Sequence, residues 1–295
     1  MNKLAYRQSE SLRTAARLFK QAFLGNFAKL GIALLALVEA LCCVIFDTPL
    51  TPVGEPLDLS GYELVFEDEF EAEEIDLDVW KYRIQGKRRG GYFNKSQISL
   101  RDGNLVIAAE YLEDGAYGAG WYAGDLALNK RYKEGYFEIR AICNGAPGFW
   151  SAFWLQASHP YEAEYSKGGI GGCEIDIIES SYEGSFLNEG CVNTTLHCAG
   201  VDGVQEGFQS RILGSYKGNN IFEEYNTYGL KWTEDEYIFY INGVESCRSS
   251  FGNGVSQVEE DVILSLCVPE ADKLNELDKE TYYSEFVVDY IRIYQ

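Results

Sequence analysis

The sequence predicts an all-β domain, two antiparallel sheets packed as a β-sandwich or jelly roll, preceded by one N-terminal hydrophobic helix. Three observations predict it. Short runs of alternating apolar and polar residues recur from residue 63 to the C-terminus, separated by Gly, Asn and Asp. Helical periodicity is hard to find after residue 60. Aromatic residues reach 14%, with 21 Tyr, 16 Phe and 5 Trp, a surplus that suits pleated, half-buried strands and also surfaces that stack on flat ligand faces.

The runs, in order, are ELVFEDEF (63–70), NLVIAAEY (104–111), GYFEIRAI (135–142), GFWSAFWLQ (148–156), CEIDIIE (173–179), YGLKW (228–232), EYIFYING (236–243), DVILSL (261–266) and FVVDYIRIY (286–294). Asn242-Gly243 after YIFYI is a hairpin-turn signal. No tandem repeat is evident. Hydrophobic residues make up 46% and charged residues 24%, so a sizeable core is expected and wholesale disorder is not. Residues 61–295 fit one domain, since all-β units of 200–250 residues commonly fold as one.

The start of the chain reads differently. Residues 1–29 form a basic segment of net charge +5, and Leu30 to Phe46 is an apolar run broken only by Glu39. That run is long for a signal-peptide core and slightly short for a membrane span. Basic residues ahead of it would stay in the cytoplasm and the rest would be exported. An uncleaved signal-anchor, a cleaved signal with a long leader and a buried soluble helix all remain open. A lipoprotein signal at Cys42 or Cys43 fits poorly. Either export reading makes the domain extracytoplasmic, secreted or membrane-anchored through residues 30–46. Residues 47–60 hold three of the six prolines and no apolar periodicity, and read as a linker.

Charge narrows the partners. Residues 60–295 carry a net −22, which repels nucleic acid and anionic lipid and favours a neutral substrate, although local patches can override net charge. The chain is read as a monomer. Six cysteines lie in the domain, at 143, 173, 191, 198, 247 and 267, with no zinc-like spacing. Buried thiols or one or two disulfides both fit.

The segment that carries chemistry is Cys173-Glu174-Ile175-Asp176-Ile177-Ile178-Glu179. Alternation puts Glu174 and Asp176 on one strand face, with Ile175 and Ile177 on the other. Glu179 would then point the wrong way, but the doubled Ile177-Ile178 breaks the period. A β-bulge there swings Glu179 back to the carboxylate face. Clustered carboxylates disfavour each other's ionisation, so at least one proton affinity rises. Retaining glycosidases need such a pair, one nucleophile and one protonated acid. An intervening Asp can hydrogen-bond the nucleophile. A solvated acidic strand or a calcium site is the competing explanation.

The segment resembles the bulged signature E-x-D-x-x-E of glycoside hydrolase family 16, shared by laminarinases, agarases and carrageenases; lichenases typically lack the extra residue. The resemblance extends through YELVFEDEF with Trp80, Asp102-Gly103-Asn104-Leu105-Val106-Ile107, Tyr136–Arg140, Gly148–Trp154, Thr195-Leu196-His197, Tyr228–Trp232 and Val288–Tyr294. It implies a concanavalin-like jelly roll with Glu174 as nucleophile, Asp176 as its helper and Glu179 as acid/base. Two departures concern substrate. Where the family's glucanases often carry an Asn-Asn-Glu-type segment, this chain has Gly90–Ser96 after Lys87-Arg88-Arg89, and Ser151 stands where many laminarinases have Pro.

Alternation places Trp150, Ala152 and Trp154 on one strand face, where both rings could floor a sugar cleft. The resemblance puts Trp150 near the cleaved sugar and His197 near the acid/base, while Trp154 divides between cleft and core. Trp121 and Tyr122 sit in the Gly-rich stretch GAYGAGWYAGD, read as a cleft-edge loop, with ordinary packing as the alternative. Trp232 reads as core, and His159 lies in a loop with no assigned role. The resemblance also allows a structural calcium at Glu69 and Asp289; no cofactor is required by the chemistry.

The expected function is therefore a retaining, endo-acting hydrolase of a β-linked polysaccharide, first a β-1,3- or β-1,3-1,4-glucan and second a red-algal galactan, with Lys87-Arg88-Arg89 able to meet sulfate if that loop borders the cleft. A transglycosylase using the same intermediate and a non-catalytic carbohydrate-binding jelly roll are the rivals.

Overall fold

The computed structural model describes residues 49–158, 168–180, 190–201 and 208–295, together with Leu34, Leu37 and Val38. The expected N-terminal helix, the segments 1–29 and 30–46 apart from those three residues, and His159 lie outside the described residues. Among the described residues no helix is long and apolar enough to cross a membrane.

Among the described residues seventeen strands follow in chain order. They are β1 (Leu64–Asp68), β2 (Trp80–Tyr82), β3 (Gly86–Arg88), β4 (Gly91–Phe93), β5 (Ile98–Arg101), β6 (Asn104–Leu112), β7 (Gly120–Leu128), β8 (Gly135–Ile142) and β9 (Trp150–Gln156). Then come β10 (Glu174–Ser180), β11 (Cys191–Ala199), β12 (Phe208–Lys217), β13 (Asn226–Trp232), β14 (Tyr237–Ile241), β15 (Val244–Ser249), β16 (Asp261–Cys267) and β17 (Tyr283–Tyr294). A short helix α1 (Ala271–Leu274) precedes β17. Every one of the nine alternating runs is a strand.

Pairing builds two layers. One runs β12–β11–β10–β9–β16–β7–β2. The other runs β15–β14–β13–β8–β17, and the far edge of β17 takes both β1 and β6. β7 belongs to both, with Gly120–Tyr122 on β6 and Gly124–Leu128 on β16 and β2, so the strands join into one curled sheet. The result is the expected jelly roll. Between the layers lies the main core, including Phe137, Ile139, Phe153, Leu155, Ile175, Leu196, Trp232 and Ile291. Trp232 is fully buried there, as its sequence context predicts. A separate small cluster of Ala127, Ala152, Trp154 and Ile263, with Trp150 and Cys267 against it, occupies the opposite face of β7, β9 and β16. That outer face is the floor of the site.

The β14–β15 hairpin turns at Asn242 and Gly243, with φ of 51° and 71°, the left-handed pair a two-residue turn requires. Two expectations need correction. The Gly-rich stretch read as a loop is largely β7. Its two strand glycines answer close approach rather than turning: a Cβ on Gly120 would sit 2.7 Å from the Tyr92 ring, and one on Gly124 would sit 2.8 Å from Ile98, whereas Gly118, with φ of 96°, turns the chain ahead of the strand. The stretch read as a linker, 47–60, is docked where it is described. Leu50 exchanges backbone hydrogen bonds with Ser215 and Lys217 beside β12, and Gly54, Glu55 and Leu57 bond to Gly243 and Glu245 on the β15 side. It thus pairs with part of one edge of each layer, at β12 and at β15.

Candidate active site

The catalytic-type strand β10 carries the bulge that its sequence predicts. Asp176 lies opposite Trp154 of β9, whereas Ile178 lies opposite Phe153 and Glu179 opposite Ala152. Against β11, Asp176 faces Thr195 and Glu179 faces Asn193. One extra residue is therefore accommodated at Ile177, whose carbonyl accepts the Thr194 hydroxyl at 3.0 Å. Ile175, Ile177 and Ile178 all enter the main core. Glu174, Asp176 and Glu179 are left to the outer face.

Each acid has distinct partners. Glu179 accepts the indole N–H of Trp150 at 2.9 Å. Burial, and then the charge of Asp176, push its carboxyl up to about 7 against the pull of that N–H. Asp176, 4% exposed, accepts from His197 Nε2 at 3.0 Å. Burial raises it to about 6, opposed by the His197 contact and reinforced by the charge of Glu174. His197 faces Glu174 across the β10–β11 ladder, and its Nδ1 meets Ser210 Oγ at 2.6 Å. Burial alone would lower its proton affinity, but the Asp176 contact and the charges of Asp176, Glu174 and Glu179 raise it. Glu174 accepts the side-chain amide of Gln156, which closes β9.

The floor is built from β9 and β16. Trp154 donates to Ser265 Oγ at 3.0 Å and is 8% exposed, while Trp150 is half-buried with its ring toward the acids. Trp150 and Trp154 thus share the site face, as alternation predicts. Beneath them Asn144 Oδ1 accepts from Ser151 N and Oγ, each at 2.8 Å, and from Ser180 Oγ at 3.0 Å. That network pins the strand ends that carry Trp150 and Glu179, and explains what Ser151 does in this chain.

Trp121 and Tyr122 are not brought to the site. They are 5% and 0% exposed; Trp121 packs edge-on against Tyr111 and Tyr282, and the Tyr122 hydroxyl is held by Tyr117 N and Gly118 O. Rings enclosed to that degree have no face to offer a sugar, so the substrate-contact expectation for both is corrected. Glu69 and Asp289, the expected calcium pair, are each engaged by a guanidinium, at 2.7 Å from Arg292 and 2.5 Å from Arg140. Among the described residues, the set of acid and histidine ligand atoms near enough to share an ion is Glu174, Asp176 and His197, all within 4.8 Å of one another. There the contacts already described serve the histidine.

Three residues enter the site that sequence reasoning missed. Arg83 lies 4.9 Å over the Trp154 ring and donates to Gln156. Gln156 touches Glu174. Glu260, fully buried, accepts the backbone N–H of Cys173 at 3.0 Å, and burial raises its carboxyl to about 8. Of the basic run, Arg89 reaches the site, 5.1 Å over the Trp150 ring, while Lys87 lies over Tyr92 and Arg88 over Phe93. All six domain cysteines are thiols, four of them buried.

The chain is similar to known proteins in sequence and in fold. A curated β-glucanase of Rhodothermus marinus is 26% identical over 261 residues, covering 79% of this chain and 85% of that protein. A keratan-sulfate endo-1,4-β-galactosidase of Sphingobacterium multivorum is 26% identical over 253 residues, 80% of this chain and 56% of that one. Among solved structures, the endo-β-1,3(4)-glucanase SCLam superposes with a TM-score of 0.65 at 24% identity, covering 84% of this chain and 97% of that one. Residues 87–256, more than half of the chain, match the family described as Glycosyl hydrolases family 16. The chain belongs to that family.

Proposed function

We propose that the protein is a retaining, endo-acting glycoside hydrolase of β-1,3- or β-1,3-1,4-glucan, with Glu174 as nucleophile and Glu179 as general acid/base. The observation that carries the proposal is the bulge at Ile177, which leaves both glutamates on one face. Glu179, held protonated up to about pH 7 by burial and by Asp176, donates its proton to the glycosidic oxygen as Glu174 attacks the anomeric carbon. The aglycone leaves with that proton and a covalent glycosyl-enzyme forms. Ionised Glu179 then takes a proton from water, which releases the sugar with its β-configuration retained. Asp176, tied to His197, limits the negative charge beside the pair, and Trp150 offers its ring to the sugar. The β-glucanase names of the relatives support the substrate class.

A second reading, an anionic β-galactan, is favoured by one observation. The rings of Trp150 and Trp154 each carry a guanidinium, from Arg89 and Arg83, so two cations stand over the site floor of an acidic domain. The galactosidase relative supports it too. Turnover on laminarin and lichenan but not on agarose, porphyran or carrageenan supports the glucan reading; the opposite pattern supports the galactan. Replacing Glu174 with Gln removes turnover while the fold persists, and near-normal activity in that variant would refute the roles assigned. The basic leader and apolar run support export of the domain, as a secreted or membrane-anchored enzyme, which fractionation of expressing cells tests.

A further inference from the structure

We propose that Gln156 is a positioning residue for Glu174, its amide locked in one orientation by Arg83 so that it always presents a donor to the nucleophile's carboxylate. The proposal rests on Glu174 being the nucleophile.

An amide side chain can flip, and nothing in its own shape says which end faces which neighbour. Here the neighbours decide. Arg83 has only donors, so the end of Gln156 that meets it is the oxygen. The nitrogen is thereby turned to Glu174, whose carboxylate only accepts when ionised. A single polarity satisfies both contacts.

Arg83 is itself fixed. Its guanidinium lies 4.9 Å over the Trp154 ring and 3.7 Å from Oδ2 of the fully buried Asp125. The other Asp125 oxygen accepts the Ile84 backbone N–H at 2.9 Å, which ties the loop after β2 to β7. The relay thus runs from a rigid strand to the nucleophile through two side chains. Its chemical consequence is specific: it holds the attacking carboxylate in place. Among the described residues, the other charged groups around Glu174 are Asp176, Glu179 and His197 beside it and Glu260 behind Cys173.

The test compares Gln156→Leu, Gln156→Glu, Arg83→Met and Glu174→Ala on whichever of the five polysaccharides the parent enzyme turns over fastest, with circular dichroism to verify folding. Gln156→Leu should lower kcat roughly 10- to 100-fold, the loss expected for a hydrogen bond to a charged group, with KM little changed. Gln156→Glu, which removes the donor and sets a like charge against Glu174, should lose at least as much kcat as Gln156→Leu. Arg83→Met, which frees the amide to flip, should fall between parent and Gln156→Leu. Unchanged kcat in folded Gln156→Leu, with Glu174→Ala inert, would overturn the positioning role alone. Turnover by Glu174→Ala would overturn the nucleophile assignment and this role with it.

Discussion

The indole N–H of Trp150 donates to Oε1 of Glu179 at 2.9 Å, which ties the half-buried ring on the site floor to the proton affinity of the acid beside it. The contact favours ionised Glu179, opposing burial and the Asp176 charge. Replacing Trp150 with Phe keeps an aromatic face but removes the N–H. The basic limb of the pH profile should then move to higher pH, with kcat/KM falling roughly a few-fold to tenfold, the scale of one hydrogen bond. A limb that stays put would show that this contact does not tune the acid.

The parent enzyme should lose activity as pH rises through about 7 in kcat/KM. The sign follows from Glu179: its raised value near 7 keeps it protonated below that pH, and the acid role needs the proton. Substituting Glu179 with Gln should remove this limb along with nearly all turnover of substrates with poor leaving groups. Adding azide to Glu179→Ala should restore turnover of an activated aryl glycoside, read by chromogen release.

Stability should decline from about pH 5 to pH 8. Glu260 has its folded value raised to about 8 by burial, so the folded state keeps a proton that the unfolded chain gives up near its ordinary value of 4.5. The stabilisation is complete below the unfolded value and is lost as pH climbs through the folded one. Asp125, Asp176 and Glu179, also raised, act in the same direction. Glu260→Gln still accepts the Cys173 N–H but does not titrate. It should flatten the fall in melting temperature between pH 5 and pH 8 by roughly 5–10 °C. Parallel curves for variant and parent would exclude Glu260 as a source of the decline.

Removing Ile177 should be less damaging than its position suggests. With the bulge, Glu174 and Glu179 share a face at a spacing of five; without it, plain alternation gives the same face at a spacing of four. The deletion loses one buried isoleucine and the Thr194 contact, so stability should fall by about 2–5 kcal/mol. Measurable turnover should survive, well above that of Glu179→Gln. Inserting an alanine after Ile177 turns Glu179 away if the bulge persists, or moves it one residue pair further from Glu174 if the strand becomes regular, and should abolish turnover either way. Equal loss in both variants would separate activity from strand parity.

The bulge was legible because a local rule was visibly broken: two isoleucines in succession between acids that must share a face. The jelly roll was legible for the same reason, since strands with one buried face write that burial into every second residue. β7 was not, because glycines chosen for close approach of Tyr92 and Ile98 look the same in sequence as glycines chosen for turning. The docked segment at 49–60 pairs through backbone groups at scattered positions, which leaves its prolines free to imitate a linker. Arg83 and Gln156 were invisible for another reason. They are 73 residues apart, and neither type is diagnostic alone; only the folded sheet puts a donor-only group behind the amide. Asp125 and Glu260 are buried carboxyl groups that composition cannot place.

The central claim, that Glu174 and Glu179 work as a nucleophile and acid/base pair on one face of β10, is tested most directly by proton NMR of the sugar released in the first minutes of hydrolysis. The β-anomer should accumulate first and equilibrate afterwards by mutarotation. Initial release of the α-anomer would mean direct attack by water, and would contradict the assignment of Glu174 as nucleophile.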